Sequence, residues 1–146
     1  MQSLSLLSQI TLYVLLALIG LLTLIIWGWQ IQVFRGKGMA NPDGSADNWH
    51  EQKIFYGISV ADVFVACPLS VIGIVLVFAS PRWGFYLLSW VCFWLVWANI
   101  MTTATSLRFE KPKINLSWFI VFPFGALVGA AYLIWTLFHF DIIYRL

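Results

Sequence analysis

Long apolar runs alternate with short polar segments along this chain, and that alternation carries most of its information. The apolar runs cover roughly residues 6–34, 54–80, 84–107 and 117–140. Each is at least the ~20 residues a helix needs to cross the hydrocarbon core of a bilayer. Lipid offers no water to backbone groups, so each run is expected to be helical. The first run reads as a retained helix. It lacks the basic amino-terminal region and small-residue cleavage site of a signal peptide, and its apolar stretch is too long for one.

The connections differ in kind. Ser80-Pro81-Arg82-Trp83-Gly84 is a tight turn, which makes helices two and three an antiparallel hairpin. The 34–53 connection is longer and contains Asn41-Pro42-Asp43-Gly44, a β-turn signal with proline at its second position. Ser45, Asp47 and Asn48 then offer caps for helix two, and Glu51 complements its macrodipole. Pro68 and Pro123 each remove an amide inside a run, and Pro68 is expected to kink helix two. The predicted fold is all-α: one transmembrane domain over residues 1–146, an antiparallel four-helix bundle with helix two kinked at Pro68.

Composition narrows the class. The chain is 62% hydrophobic and 10% charged, against about half and a quarter in a soluble domain. A soluble enzyme and a disordered tail are excluded, and so is nucleic acid as a partner, because no clustered basic face exists. Charge also sets orientation. Arg35, Lys37, Lys53, Arg108, Lys111 and Lys113 flank the odd loops, whereas the other side carries Arg82 and Arg145. Basic residues stay cytoplasmic. Loops 35–53 and 108–116 are therefore expected in the cytoplasm and both termini outside, in a plasma or inner membrane. The 108–113 cluster also attracts anionic headgroups at ~1 kcal/mol per basic residue, which makes membrane lipids natural partners.

One charge is out of place. Asp62 lies alone inside the second run, where burying a carboxylate costs at least ~2.5–3.5 kcal/mol. At ~1.5 Å per residue, Asp62, Asn99, Thr23, Pro123 and Gly125 all fall roughly 5–8 Å from the midpoints of their spans, on the odd-loop side. Ser59, Asp62, Ala66, Ser70 and Gly73 form a polar-to-small stripe on helix two, as Asn99, Thr103 and Ser106 do on helix three. Asparagine and threonine also serve as ordinary interhelical glue. A free carboxyl is a costlier choice for that purpose, which singles out Asp62.

Of nine tryptophans, Trp27, Trp29, Trp83 and Trp118 fall near span ends and suit the headgroup level. Trp90, Trp94 and Trp97 follow i, i+4, i+7 spacing on helix three. Such a stripe is most often packing; its sharper reading is a wall for a flat apolar ligand such as a quinone, sterol or pigment. The candidate ligand-binding set is Tyr56, Ser59, Asp62, Trp90, Trp94, Trp97, Asn99 and Thr103, around a polar cavity. Asp62 and Asn99 are the candidate catalytic pair.

Other chemistries lack motifs. Cys67 and Cys92 are isolated, with no C-x-x-C. His50 and His139 lie on opposite sides, ~30 Å or more apart, and cannot share a haem. Asp47, His50 and Glu51 make a weak metal trio, better read as helix capping. No metal is assigned and any cofactor is unknown. Gly125-x-x-x-Gly129 permits close helix approach, within the bundle or as a homo-oligomer seam.

Three functions fit. The favoured one is a membrane protein that binds a lipid-like or aromatic small molecule, or a partner membrane subunit, in a polar, Trp-walled cavity. The second is an intramembrane enzyme on a lipidic substrate, with Asp62 as acid/base, Asn99 as orienter, and Tyr56 or Thr103 assisting. The third is an oligomeric proton-coupled transporter or channel. The absence of a second ionisable group within the spans favours the first.

Overall fold

A computed structural model of the protein describes residues 4–36, 53–110 and 113–144. These residues are mostly helical and include no strand. The Asn41-Pro42-Asp43-Gly44 turn, the expected caps at Ser45, Asp47 and Asn48, and the Asp47/His50/Glu51 trio lie outside the described residues.

Helix α1 spans Leu6–Phe34. Ser5 caps it by accepting from the Ser8 amide at 3.2 Å, and Gly36, at φ 78°, ends it in the left-handed region that glycine tolerates. The second run is built in two pieces, α2 (Lys53–Ala61) and α3 (Cys67–Ala79), joined by a wide π-helical turn at Asp62–Ala66. The Cys67 amide bonds five residues back, to the Asp62 carbonyl. Pro68 has no amide to offer, and it occupies the first turn of α3, where none is needed. The chain thus adjusts just ahead of Pro68, by inserting a residue's worth of slack.

Helix α4 covers Pro81–Thr105 and continues into a second π-helical turn at Ser106–Glu110. The fourth run differs from the uninterrupted span expected over 117–140. It forms α5 (Leu116–Val121), breaks at Phe122, and resumes as α6 (Pro123–Phe138), followed by the short α7 (Phe140–Tyr144). Pro123 causes the break: it donates no hydrogen bond and disfavours helical geometry at the residue before it. At 16 residues, α6 alone is ~24 Å long, short of the ~30 Å hydrocarbon core.

Leu6–Phe34, Tyr56–Ala79 and Pro81–Arg108 are each long and apolar enough to cross a bilayer. The chain therefore reads as a transmembrane helical protein. Within it, α4 packs against α3 and α6, while α1 packs against α2, α3 and α6. The shared core includes Leu12, Leu16, Ile19, Val77, Phe85, Leu88, Cys92, Val128 and Tyr132. Two glycines allow backbones to touch. A Cβ at Gly84 would collide with the Val77 amide nitrogen, and one at Gly129 would lie 2.7 Å from the Cys92 carbonyl oxygen. Gly125 meets the Asn99 side chain in the same way. Both members of the Gly125-x-x-x-Gly129 pair are thus seated on α4 within the chain.

A tether closes the far end. His139 Nδ1 donates to the Trp135 carbonyl oxygen at 2.8 Å, and Nε2 shares a 3.0 Å hydrogen bond with the Ser8 hydroxyl. The imidazole also stacks on Trp135, with ring centroids 4.3 Å apart.

Candidate functional site

Asp62 opens the π-helical turn between α2 and α3 and is only 5% exposed. Its Oδ1 accepts from Trp94 Nε1 at 2.6 Å and its Oδ2 accepts from Gln30 Nε2 at 2.9 Å. Both donors are neutral. Among the described residues no lysine or arginine pairs with the carboxylate. A buried carboxylate answered by neutral N–H groups is an expensive arrangement in a membrane segment.

Beside the carboxylate lies a small cavity of about 20 Å³, lined by Thr23, Ile26, Asp62, Ala66, Cys67, Ser70, Val91, Trp94 and Leu95. This is room for about one water molecule. Ala66 faces it with a single methyl group, leaving the gap. Thr23 donates to the Ile19 carbonyl at 2.7 Å. Its contact with Ser70, also 2.7 Å, is therefore a hydrogen bond donated by Ser70. The Gln30–Asp62 and Ser70–Thr23 bonds fasten α1 to the second helical run at two levels, about two turns apart.

Of the candidate ligand-binding set, the structure brings Asp62 and Trp94 together on the cavity, beside Thr23, Ala66 and Ser70 from the depth layer and the helix-two stripe. Trp90 and Trp97 are 59% and 47% exposed and lie on the outer surface. Helix geometry accounts for the split: at ~100° per residue, Trp94 is offset from Trp90 by ~40° and from Trp97 by ~60°. That offset turns one indole inward from a stripe that otherwise faces out. Trp94 still touches Trp97, at 5.1 Å between ring centroids.

The remaining candidates do not line the cavity. Asn99 donates to the Leu95 carbonyl at 2.8 Å and packs on Gly125. The Thr103 hydroxyl is buried with no hydrogen-bond partner. Ser59 is fully buried and donates to the Tyr56 carbonyl at 2.8 Å, while the Tyr56 ring stacks on Phe34 at 6.4 Å. Trp118, expected at the headgroup level, is instead buried; its indole donates to the Ser106 hydroxyl at 3.1 Å.

Gln30 is the site residue that sequence reasoning passed over. It sits nearer the end of its run than Asp62 does, so the depth comparison skipped it; a long side chain spans that difference. Its signal was a pair of amides, Gln30 and Gln32, in the last turns of an apolar helix. Comparison with protein-family models, curated proteins and solved structures finds no match to this chain.

Proposed function

We propose that the protein is a membrane-embedded binding protein that takes a lipid-like small molecule at Asp62. The observation that carries this reading is the pairing of a buried carboxylate with neutral donors alone, beside a small cavity, among the described residues. At about 20 Å³ the cavity takes a head group, while the body of the ligand lies outside it. Trp94 supplies the link, touching Asp62 with its N–H and Trp97 with its ring. The ligand's apolar part then runs along the exposed surface of Trp90, Phe93 and Trp97. This replaces an enclosed Trp-walled pocket with an anchored, lipid-facing one.

In this reading the four runs form an antiparallel bundle. The π-helical turn ahead of Pro68 bends helix two open at the site, and α5 and α6 cross the membrane together. The odd loops are cytoplasmic and both termini outside, in a plasma or inner membrane. The proton-based readings need a second titratable group at the cavity, and among the described lining residues only Cys67 accompanies Asp62.

The test is lipid extraction from the purified protein, followed by identification of what is released. The expected result is one lipid-like species at near-stoichiometric yield, reduced in Trp97→Ala and lost in Trp94→Ala. A bare protein that co-purifies with a second polypeptide would favour a partner subunit on the same aromatic face. A bare protein alone would reject the binding reading.

A further inference from the structure

The hydrogen-bond inventory of the Asp62 cavity specifies what kind of head group it takes. Four lining side chains carry a hydrogen on nitrogen, oxygen or sulfur, and each is already committed. The Trp94 N–H goes to Asp62, the Thr23 hydroxyl to the Ile19 carbonyl, the Ser70 hydroxyl to Thr23, and the Cys67 thiol to the Thr23 carbonyl at 3.8 Å. Acceptors, by contrast, are left over. A carboxylate offers about four lone-pair sites, and Asp62 uses one on each oxygen. Ser70, almost wholly buried, accepts no hydrogen bond. Behind that lining, Gln30 donates to Asp62 while its own Oε1 atom is buried with no hydrogen-bond partner. Buried polar atoms are nearly always satisfied, so an unpaired acceptor needs an explanation.

Spare acceptors, committed donors and an unneutralised negative charge converge on one ligand chemistry. Resting on the binding function proposed above, we infer that the Asp62 site selects an amphiphile with a small, positively charged, hydrogen-donating head, namely a protonated primary amine. An ammonium carries three donors and no acceptor. It therefore fits a lining of lone pairs and answers the carboxylate charge where the low dielectric makes that attraction strongest. Its size suits a cavity of about 20 Å³. A hydroxyl head supplies one donor and no charge, and ranks second. Carboxylate, phosphate and quinone heads offer only acceptors and meet only lone pairs. The quinone that the tryptophan stripe brings to mind is thereby excluded.

The experiment compares dodecylamine, dodecanol and dodecanoic acid, which share a tail and differ only in the head. Each is titrated into the purified full-length protein in a neutral detergent at about pH 7, where a primary amine is protonated. Binding is read as the shift in thermal unfolding midpoint and as the apparent Kd from tryptophan fluorescence. The expected order is amine, then alcohol, with no binding of the acid above detergent background. Asp62→Asn should weaken the amine by about tenfold or more, the loss of a hydrogen bond to a charged group, while changing the alcohol little. Equal binding of amine and acid by the wild-type protein would overturn the inference, as would an Asp62→Asn protein that keeps full amine affinity. The wild-type ranking needs no variant, so it decides the matter even if Asp62→Asn fails to fold. A co-purified lipid with an acceptor-only head would overturn the amine inference while leaving the binding function intact. No co-purified lipid together with no binding of any probe would overturn both.

Discussion

The two halves of this molecule are built to different standards. Toward the Ser80 turn, Leu12, Ile19, Val77, Phe85, Leu88, Cys92 and Tyr132 form a close-packed apolar core, and Gly84 and Gly129 let backbones come into contact. Toward the other end lie Asp62, both π-helical turns, and the unpaired Gln30 Oε1 and Thr103 Oγ1 atoms. The packed half is not flawless, since Trp135 Nε1 is also buried without a partner. Yet the contrast is clear. One half is specified by shape, where side-chain volume decides everything. The other keeps polar groups and a void in a medium that penalises both. If the proposed function holds, stability resides in the first half and binding in the second, and substitutions should separate them.

The sharpest break is expected at Gly84→Ala. The added methyl would collide with the backbone nitrogen of Val77, and backbone cannot swing aside as a side chain can. A loss of ~2–3 kcal/mol, at the upper end for overpacking, should appear in denaturant unfolding in detergent. Trp94→Phe comes next. It leaves Asp62 with one of its two donors, Gln30, and orphaning a buried group costs ~1–3 kcal/mol. Unlike Gly84→Ala, it should abolish ligand binding at least as strongly as it lowers the unfolding midpoint. Gly28→Ala tests the opposite sign. A Cβ at Gly28 meets nothing within 4 Å, so the gain in helix propensity should raise stability by ~0.5–1 kcal/mol. Ser70→Ala is expected to cost least. It removes the bond to Thr23, worth ~0.6 kcal/mol on average in a membrane bundle, and it should weaken amine binding without disturbing the packed half.

How far the sequence foretold this follows the same division. Runs of apolar residues determine helices in lipid, so α1, the second run and α4 were legible almost to the residue. The stripe of Ser59, Asp62, Ala66, Ser70 and Gly73 was legible too, because 3.6-residue spacing fixes which side chains share a face; Ala66 is half-buried and the other four are buried. Three features were not. The break at Phe122 depends on whether Pro123 kinks a helix or ends it, and tertiary packing makes that choice. The inward turn of Trp94 rests on an angular offset of ~40–60°, finer than a shared-face argument resolves. Gln30 reaches Asp62 through the length of its side chain, which residue depth along a span does not describe. Asn99 shows the converse: matched depth placed it near Asp62, but helix rotation turned it onto Gly125.

The central claim is that Asp62 is the anchor of a ligand site rather than a tie between helices. Native mass spectrometry of the protein released directly from its membrane, wild type beside Asp62→Asn, tests it most directly. The account predicts a small-molecule adduct on the wild-type protein and its absence from an Asp62→Asn protein that still unfolds cooperatively. Identical spectra for the two, bare or with the same adduct, would contradict it.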